Sequence, residues 1–163
     1  MPKQQRRWFR LGLRHLRMAS RLLRCGFADG AVFHTYHAYE CVVSAFLAAK
    51  GYSVTPNGRV VRGSSKRRRG SAKSSHSSTN PQTSQSPHKQ RLLLFNQLAD
   101  RTKPYFHVHT ILSRMVTPNH RNSALYYDPQ QDRLPHQVFD VQFALDLIPE
   151  VRQFARHVWK DIK

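Results

Sequence analysis

Residues 6–26 constrain the fold more than any other stretch of this chain. Arg10, Arg14, Arg17, Arg21 and Arg24 recur at spacings of four, three, four and three. In a helix those spacings place all five on one narrow face, while a strand would scatter them over both of its sides. Phe9, Leu13, Leu16, Ala19 and Leu23 cover one neighbouring face, and Leu11, Met18, Leu22 and Cys25 cover the other. A helix that is apolar around most of its circumference, with one arginine stripe, belongs at the centre of a bundle or in the grip of a second subunit. Gly26 follows, a residue tolerant of the positive φ that ends helices.

Asp29 is placed to cap a second helix, which runs to about Lys50 ahead of Gly51. Val32, Tyr36, Tyr39, Val42, Val43, Phe46 and Ala49 supply its core side, and His37, Glu40 and Ser44 fall on another line. The two helices form an antiparallel hairpin across a turn from Gly26 to Gly30. From residue 57 to about 88 the periodicity vanishes, and almost nothing apolar follows Val61. Such a segment cannot offset its chain entropy by burial, so 57–88 reads as a disordered basic insert. Order resumes at Lys89 and runs to about Asp100. A further helix starts near Pro104, where proline suits a first turn, and ends before Pro118. Residues 119–137 read as loop. The last helix, about 138–162, carries Phe139, Phe143, Leu147, Val151, Phe154, Val158 and Ile162 as its apolar stripe, with a kink or short break expected at Pro149. No convincing strand is present. At 163 residues the chain suits one domain. The expected fold is an all-α bundle of four to five helices, made of a hairpin (6–51), the insert (57–88) and the remaining helices (89–162).

Charge is distributed unevenly. Lys and Arg number 27 against 9 Asp and Glu, a net charge of +18. Residues 1–24 hold eight bases and no acid, as do residues 57–90, while the remaining stretches sum to only +2. A near-neutral body with two basic appendages attracts polyanions, and nucleic acid is the commonest of these. The arginine stripe lacks any acid within its helix, which favours phosphate tracking over a merely solvated face. Lys66, Arg67, Arg68 and Arg69 in the insert read as a non-specific polyanion arm.

Several chemistries are excluded by what the chain lacks. No Cys or acid stands at ligand spacing beside His107 and His109, so no designed metal site is expected. No glycine loop cradles a phosphate, no serine or cysteine nucleophile has a recognisable elbow, and no cofactor is implied. Cys25 and Cys41 fall in apolar helical stretches and read as small buried hydrophobes of a reducing, cytoplasmic compartment. No run reaches the length of a membrane span. The arginine-rich start has the composition of an organellar transit peptide, but it continues unbroken into core-like pattern and is read as part of the domain.

The segment Arg121-Asn122-Ser123-Ala124-Leu125-Tyr126-Tyr127-Asp128 precedes the last helix. An arginine half-buried there needs a partner, and Glu40, on a helix that otherwise reads as core, is the expected one. With Gly26-Phe27-Ala28-Asp29-Gly30-Ala31 at the hairpin turn and Tyr36-His37-Ala38-Tyr39-Glu40-Cys41 in the second helix, the chain resembles the HEPN family, the higher eukaryotes and prokaryotes nucleotide-binding domains, over about 6–51 and 88–162. The resemblance implies a small bundle that commonly dimerises. Active members pair an arginine with a histidine a few residues later, in a cleft shared between subunits, and cleave RNA without metal. The histidine moves protons around the attacking 2′-hydroxyl while the arginine holds the phosphate. On this pattern Arg121 takes the arginine's place and Asn122 the polar residue after it. Glu40, with His37 nearby, takes the supporting positions.

The chain departs from that pattern where the histidine belongs, because Tyr126 or Tyr127 stands there. A phenol with a pKa of about 10 is a poor proton shuttle at neutral pH. A second frame, Arg114 with His120, is interrupted by Thr117-Pro118 and begins on the preceding helix. The reading is therefore a HEPN-like domain that binds RNA or a nucleotide at a cleft of Arg121, Asn122, Tyr126 and Tyr127, as a degenerate, non-catalytic regulatory member. A homodimer is expected, with a cognate antitoxin or a nucleotidyltransferase-type protein as the implied partner. Two alternatives stand beside it: a metal-independent ribonuclease toxin, and a scaffold for protein assembly.

Overall fold

The computed structural model describes residues 3–55, 59–62, 86–115 and 138–163. Five helices lie within them: α1 (Lys3–Arg24), α2 (Ala28–Ala49), α3 (Pro87–Leu98), α4 (Pro104–Met115) and α5 (Val141–Ile162). Two short strands, β1 (Tyr52–Val54) and β2 (Val60–Arg62), stand between α2 and the residues leading to α3. The fold is the expected helical bundle.

The helix at its centre is α2, not α1. Every residue from Ala38 to Ala48 is buried, and α2 packs against α1, α3 and α5. Its composition explains this, since small and apolar residues surround its whole circumference and only an all-round apolar helix gains by all-round burial. By contrast α1 is two-sided. Gln5, Phe9, Gly12, Leu16 and Ala19 form its buried line, while Leu11 and Met18 are exposed beside the arginines. The second apolar face read in the sequence is thus only partly covered.

The hairpin turn is tighter than expected. Gly26 has φ +84°, and the Phe27 and Gly26 amides donate to the Leu22 and Leu23 carbonyls at 2.9 and 3.0 Å. That pattern closes α1 with a left-handed cap in two residues. Phe27, not Asp29, holds the N-cap of α2, with no side-chain hydrogen bond. Asp29 lies in the first turn, where its charge faces the positive end of the helix. Gly30 is inside α2. Further along, α1 and α2 approach closely at Gly12. A Cβ there would meet the Ala38 carbonyl oxygen at 3.2 Å and the Cys41 Cβ at 3.3 Å. Gly12→Val is therefore expected to destabilise the fold by roughly 1–3 kcal/mol, read as a lowered urea midpoint with an unchanged slope.

The all-α bundle also carries two short strands, which correct the expectation that no strand is present. They pair antiparallel with Tyr52 opposite Arg62 and Val54 opposite Val60, and the Thr55 amide donates to the Arg59 carbonyl at 2.9 Å. Residues 60–62 therefore do not belong to the insert. Its other boundary moves as well. Ser86 caps α3 by accepting from the Lys89 amide, and Pro87 occupies the first turn. Pro149 does not break the last helix, which runs on through it. That helix starts later than expected because the Asp140 carboxylate accepts from the Phe143 amide at 2.7 Å and fixes the N-terminus there.

Inside the bundle, Phe46, Phe95, Tyr105, His109 and Phe154 form a continuous ring cluster. Gln5, almost fully buried, donates to the Ile162 carbonyl at 2.6 Å. This bond pins the start of α1 to the end of α5, so the two helices run antiparallel side by side.

Candidate functional site

Two features gather the chemistry of the described residues. The first is the outward face of α1. Arg10, Arg14, Arg17, Arg21 and Arg24 are all exposed, and none of them makes an ion pair among the described residues. Leu11 and Met18 border them. With one helical turn every 5.4 Å, the stripe presents a guanidinium at each turn along its length. Its geometry suits a linear polyanion, since no acid among the described residues neutralises it. Lys66 to Arg69, the other bases assigned to polyanion contact, lie outside the described residues.

The second feature is built around Glu40, which is 4% exposed. Burial alone would raise its pKa, but the His88 hydrogen bond and the charges of Arg91, His88 and His37 outweigh burial and hold it below its ordinary value. Arg91, equally buried, places one terminal nitrogen 3.3 Å from the Glu40 carboxylate and donates from the other to Ser44 Oγ at 3.1 Å. His88 Nδ1 contacts both that carboxylate and the Arg91 guanidinium. A guanidinium only donates, so one nitrogen cannot serve both partners. The His88 Nδ1–H donates to the ionised carboxylate, and Arg91 donates to Glu40 and Ser44. His37 Nδ1 stands 3.6 Å from the other carboxylate oxygen. The cluster ties α3 to α2.

Glu40 was expected to brace Arg121. Among the described residues its partners are His88, Arg91 and His37, while Arg121, Asn122, Tyr126 and Tyr127 lie outside the described residues. His37 is half-buried and packs edge-on against Phe33, with its ring stacked on His15. His15 and His34 bring their Nδ1 atoms to 2.9 Å, so one ring donates and the other accepts. Burial lowers the pKa of both, and for His15 the neighbouring His34 and Arg14 act in the same direction.

His88 and Arg91 were not singled out from the sequence. Ser86-Pro87 carried the signal, as a capping residue followed by an N1 proline. Starting the helix there places His88 and Arg91 three apart on one face.

Other residues prove structural. His107 is exposed whereas its neighbour His109 is buried, so the two rings do not converge. His109 hydrogen-bonds Asn96 Oδ1 through Nε2 and the Tyr39 hydroxyl through Nδ1, and burial pushes its pKa down to about 4. The unfolded chain, at about 6.5, takes its proton first as pH falls. The stability from this site is complete above pH 6.5 and is lost progressively towards pH 4, by roughly 2–3 kcal/mol. A melting-temperature profile over that window should be shallower in His109→Gln. Cys41 is buried, and burial pushes its thiol up to about 12, with Glu40 adding to the shift and Arg91 opposing it; it is no nucleophile at neutral pH. Cys25, expected to be buried, is exposed, because α1 has already ended in its left-handed cap.

A family model described as the HEPN domain matches residues 5–67. The match spans α1, α2 and the strand pair, so this part of the chain carries the HEPN pattern that the hairpin residues suggested. No curated protein and no solved structure matches the chain. No helix among the described residues is long and apolar enough to cross a membrane.

Proposed function

We propose that this chain is a HEPN-type helical module that binds RNA and acts without cleaving it, as a regulatory member of its family. The observation that carries the reading is the face of Arg10, Arg14, Arg17, Arg21 and Arg24, exposed along one side of α1 with no acid paired to it among the described residues. A structural stripe would be neutralised by neighbouring carboxylates, whereas this one keeps its charge available to solvent and ligand. The non-catalytic part rests on Tyr126 and Tyr127 standing where active relatives carry a histidine. A homodimer fits the family's habit, with a cognate antitoxin or nucleotidyltransferase-type protein as the further partner the resemblance suggests.

The test is incubation of the purified protein with labelled RNA in EDTA, beside Arg121→Ala. Intact RNA with salt-sensitive binding is the expected outcome. Breakdown by the wild type and not by the variant would instead make this a metal-independent ribonuclease. No binding at any salt, with self-association retained, would leave a scaffold for protein assembly.

A further inference from the structure

A groove runs between α1 and α5. Its floor is apolar: Phe9, Leu13 and Leu16 from α1, and Ala155 and Trp159 from α5. Its rim is basic on both sides, with Arg17 from α1 facing Arg152, Arg156, Lys160 and Lys163 from α5. The cavity measures about 790 Å³. A second hollow of about 590 Å³ shares Phe9, Leu13, Trp159 and Lys163 with it and adds Arg10 to the rim. The Trp159 ring is stacked on Phe9 with centroids 4.3 Å apart, which fixes one of its faces.

The basic rim of α5 is not visible in the charge total of its segment. Arg152, Arg156, Lys160 and Lys163 recur at spacings of four, four and three, while Asp146, Glu150 and Asp161 fall on a different face. Asp161 stands 4.0 Å from Lys103, on the loop before α4. The helix therefore separates its charges, and the basic side is the one turned to α1. Arg152 donates to Ser20 Oγ at 2.6 Å, a neutral partner that orients the guanidinium without cancelling its charge.

We infer that this groove is a track for single-stranded nucleic acid, with phosphates following the two basic rims and a base stacking in the apolar floor at Trp159. The proposal rests on the RNA-binding reading and gives it a substrate class. Charge complementarity selects a polyanion, and the aromatic floor selects one with exposed flat apolar rings. A duplex presents phosphates but keeps its bases stacked and paired, out of reach of a floor recessed between two helices. An acidic protein segment would satisfy the rims and leave the stacking position without a ring to receive.

Intrinsic tryptophan emission tests this directly, with Trp8→Phe introduced so that the signal comes from Trp159. A short oligouridylate should quench the emission on binding, and the matched duplex should quench it little. Trp159→Leu should weaken oligouridylate binding roughly 10- to 100-fold with its salt dependence retained. Arg156→Ala with Lys160→Ala should instead flatten the salt dependence. Trp159→Phe keeps a ring on Phe9 and should retain most of the affinity, which guards against a loss caused by misfolding. Equal binding of single strand and duplex without quenching would overturn the groove and leave the RNA-binding reading standing. Quenching by polyglutamate as strong as that by oligouridylate would also overturn it, in favour of an acidic protein partner. Failure of both nucleic acids to bind would overturn both.

Discussion

Glu40→Ala is expected to destabilise the fold by about 3–5 kcal/mol. Arg91 is 5% exposed, and Glu40 is its only anionic partner among the described residues. Without that carboxylate a guanidinium is left buried beside Ser44 and His88, and an uncompensated buried charge is far costlier than the pair was stabilising. For a chain of this size the loss corresponds to a fall in Tm on the order of 10 °C. Removing both members should hurt less: Glu40→Met with Arg91→Met is expected to lie well above Glu40→Ala in stability, because no charge is then stranded. The carboxyl is held below its ordinary value, so its contribution is full above the ordinary carboxylate range and is lost as pH falls through the lower folded value. An unchanged Tm for Glu40→Ala would show that Arg91 is solvated and that α3 is held by apolar contacts alone.

The bundle was legible because its signals are periodic. The 3.6-residue repeat of Phe9, Leu16 and Ala19, and that of Leu147, Val151, Phe154 and Val158, persists over whole helices and survives local irregularity. The strand pair was not legible, since three residues are too few for an alternation to show and the ladder depends on local bonds between Thr55 and Arg59. The ranking of the helices was also missed. Two apolar flanks made α1 look enclosed, but they are not equivalent once α2 takes the centre.

At the candidate site the sequence supplied the arginine face and singled out Glu40, whose expected partner Arg121 lies outside the described residues. Two of its described partners, His88 and Arg91, come from a helix whose start was placed two residues too late. Charge totals hid the basic rim of α5, because a sum over a segment discards the face on which each charge lies. Only the helical phase recovers it.

A second large effect is expected from the arginine face itself. Replacing Arg10, Arg14, Arg17 and Arg21 together by alanine should weaken RNA binding on the order of 100-fold near physiological salt. Each phosphate contact on a single strand contributes roughly 0.7 to the slope of log affinity against log salt, so losing four lowers that slope by about 3. Alanine favours the helix, and the buried line of α1 is untouched, so helical content should persist. Loss of binding can then be assigned to charge and not to unfolding.

The most direct test of RNA binding through this face is fluorescence anisotropy of labelled single-stranded RNA over a salt series in EDTA. Wild type should be compared with the four-arginine variant, and the recovered RNA run on a gel. Intact RNA is expected, with steep salt dependence for the wild type and a slope smaller by about 3 for the variant. Binding that ignores salt, or that is the same in both proteins, would contradict it.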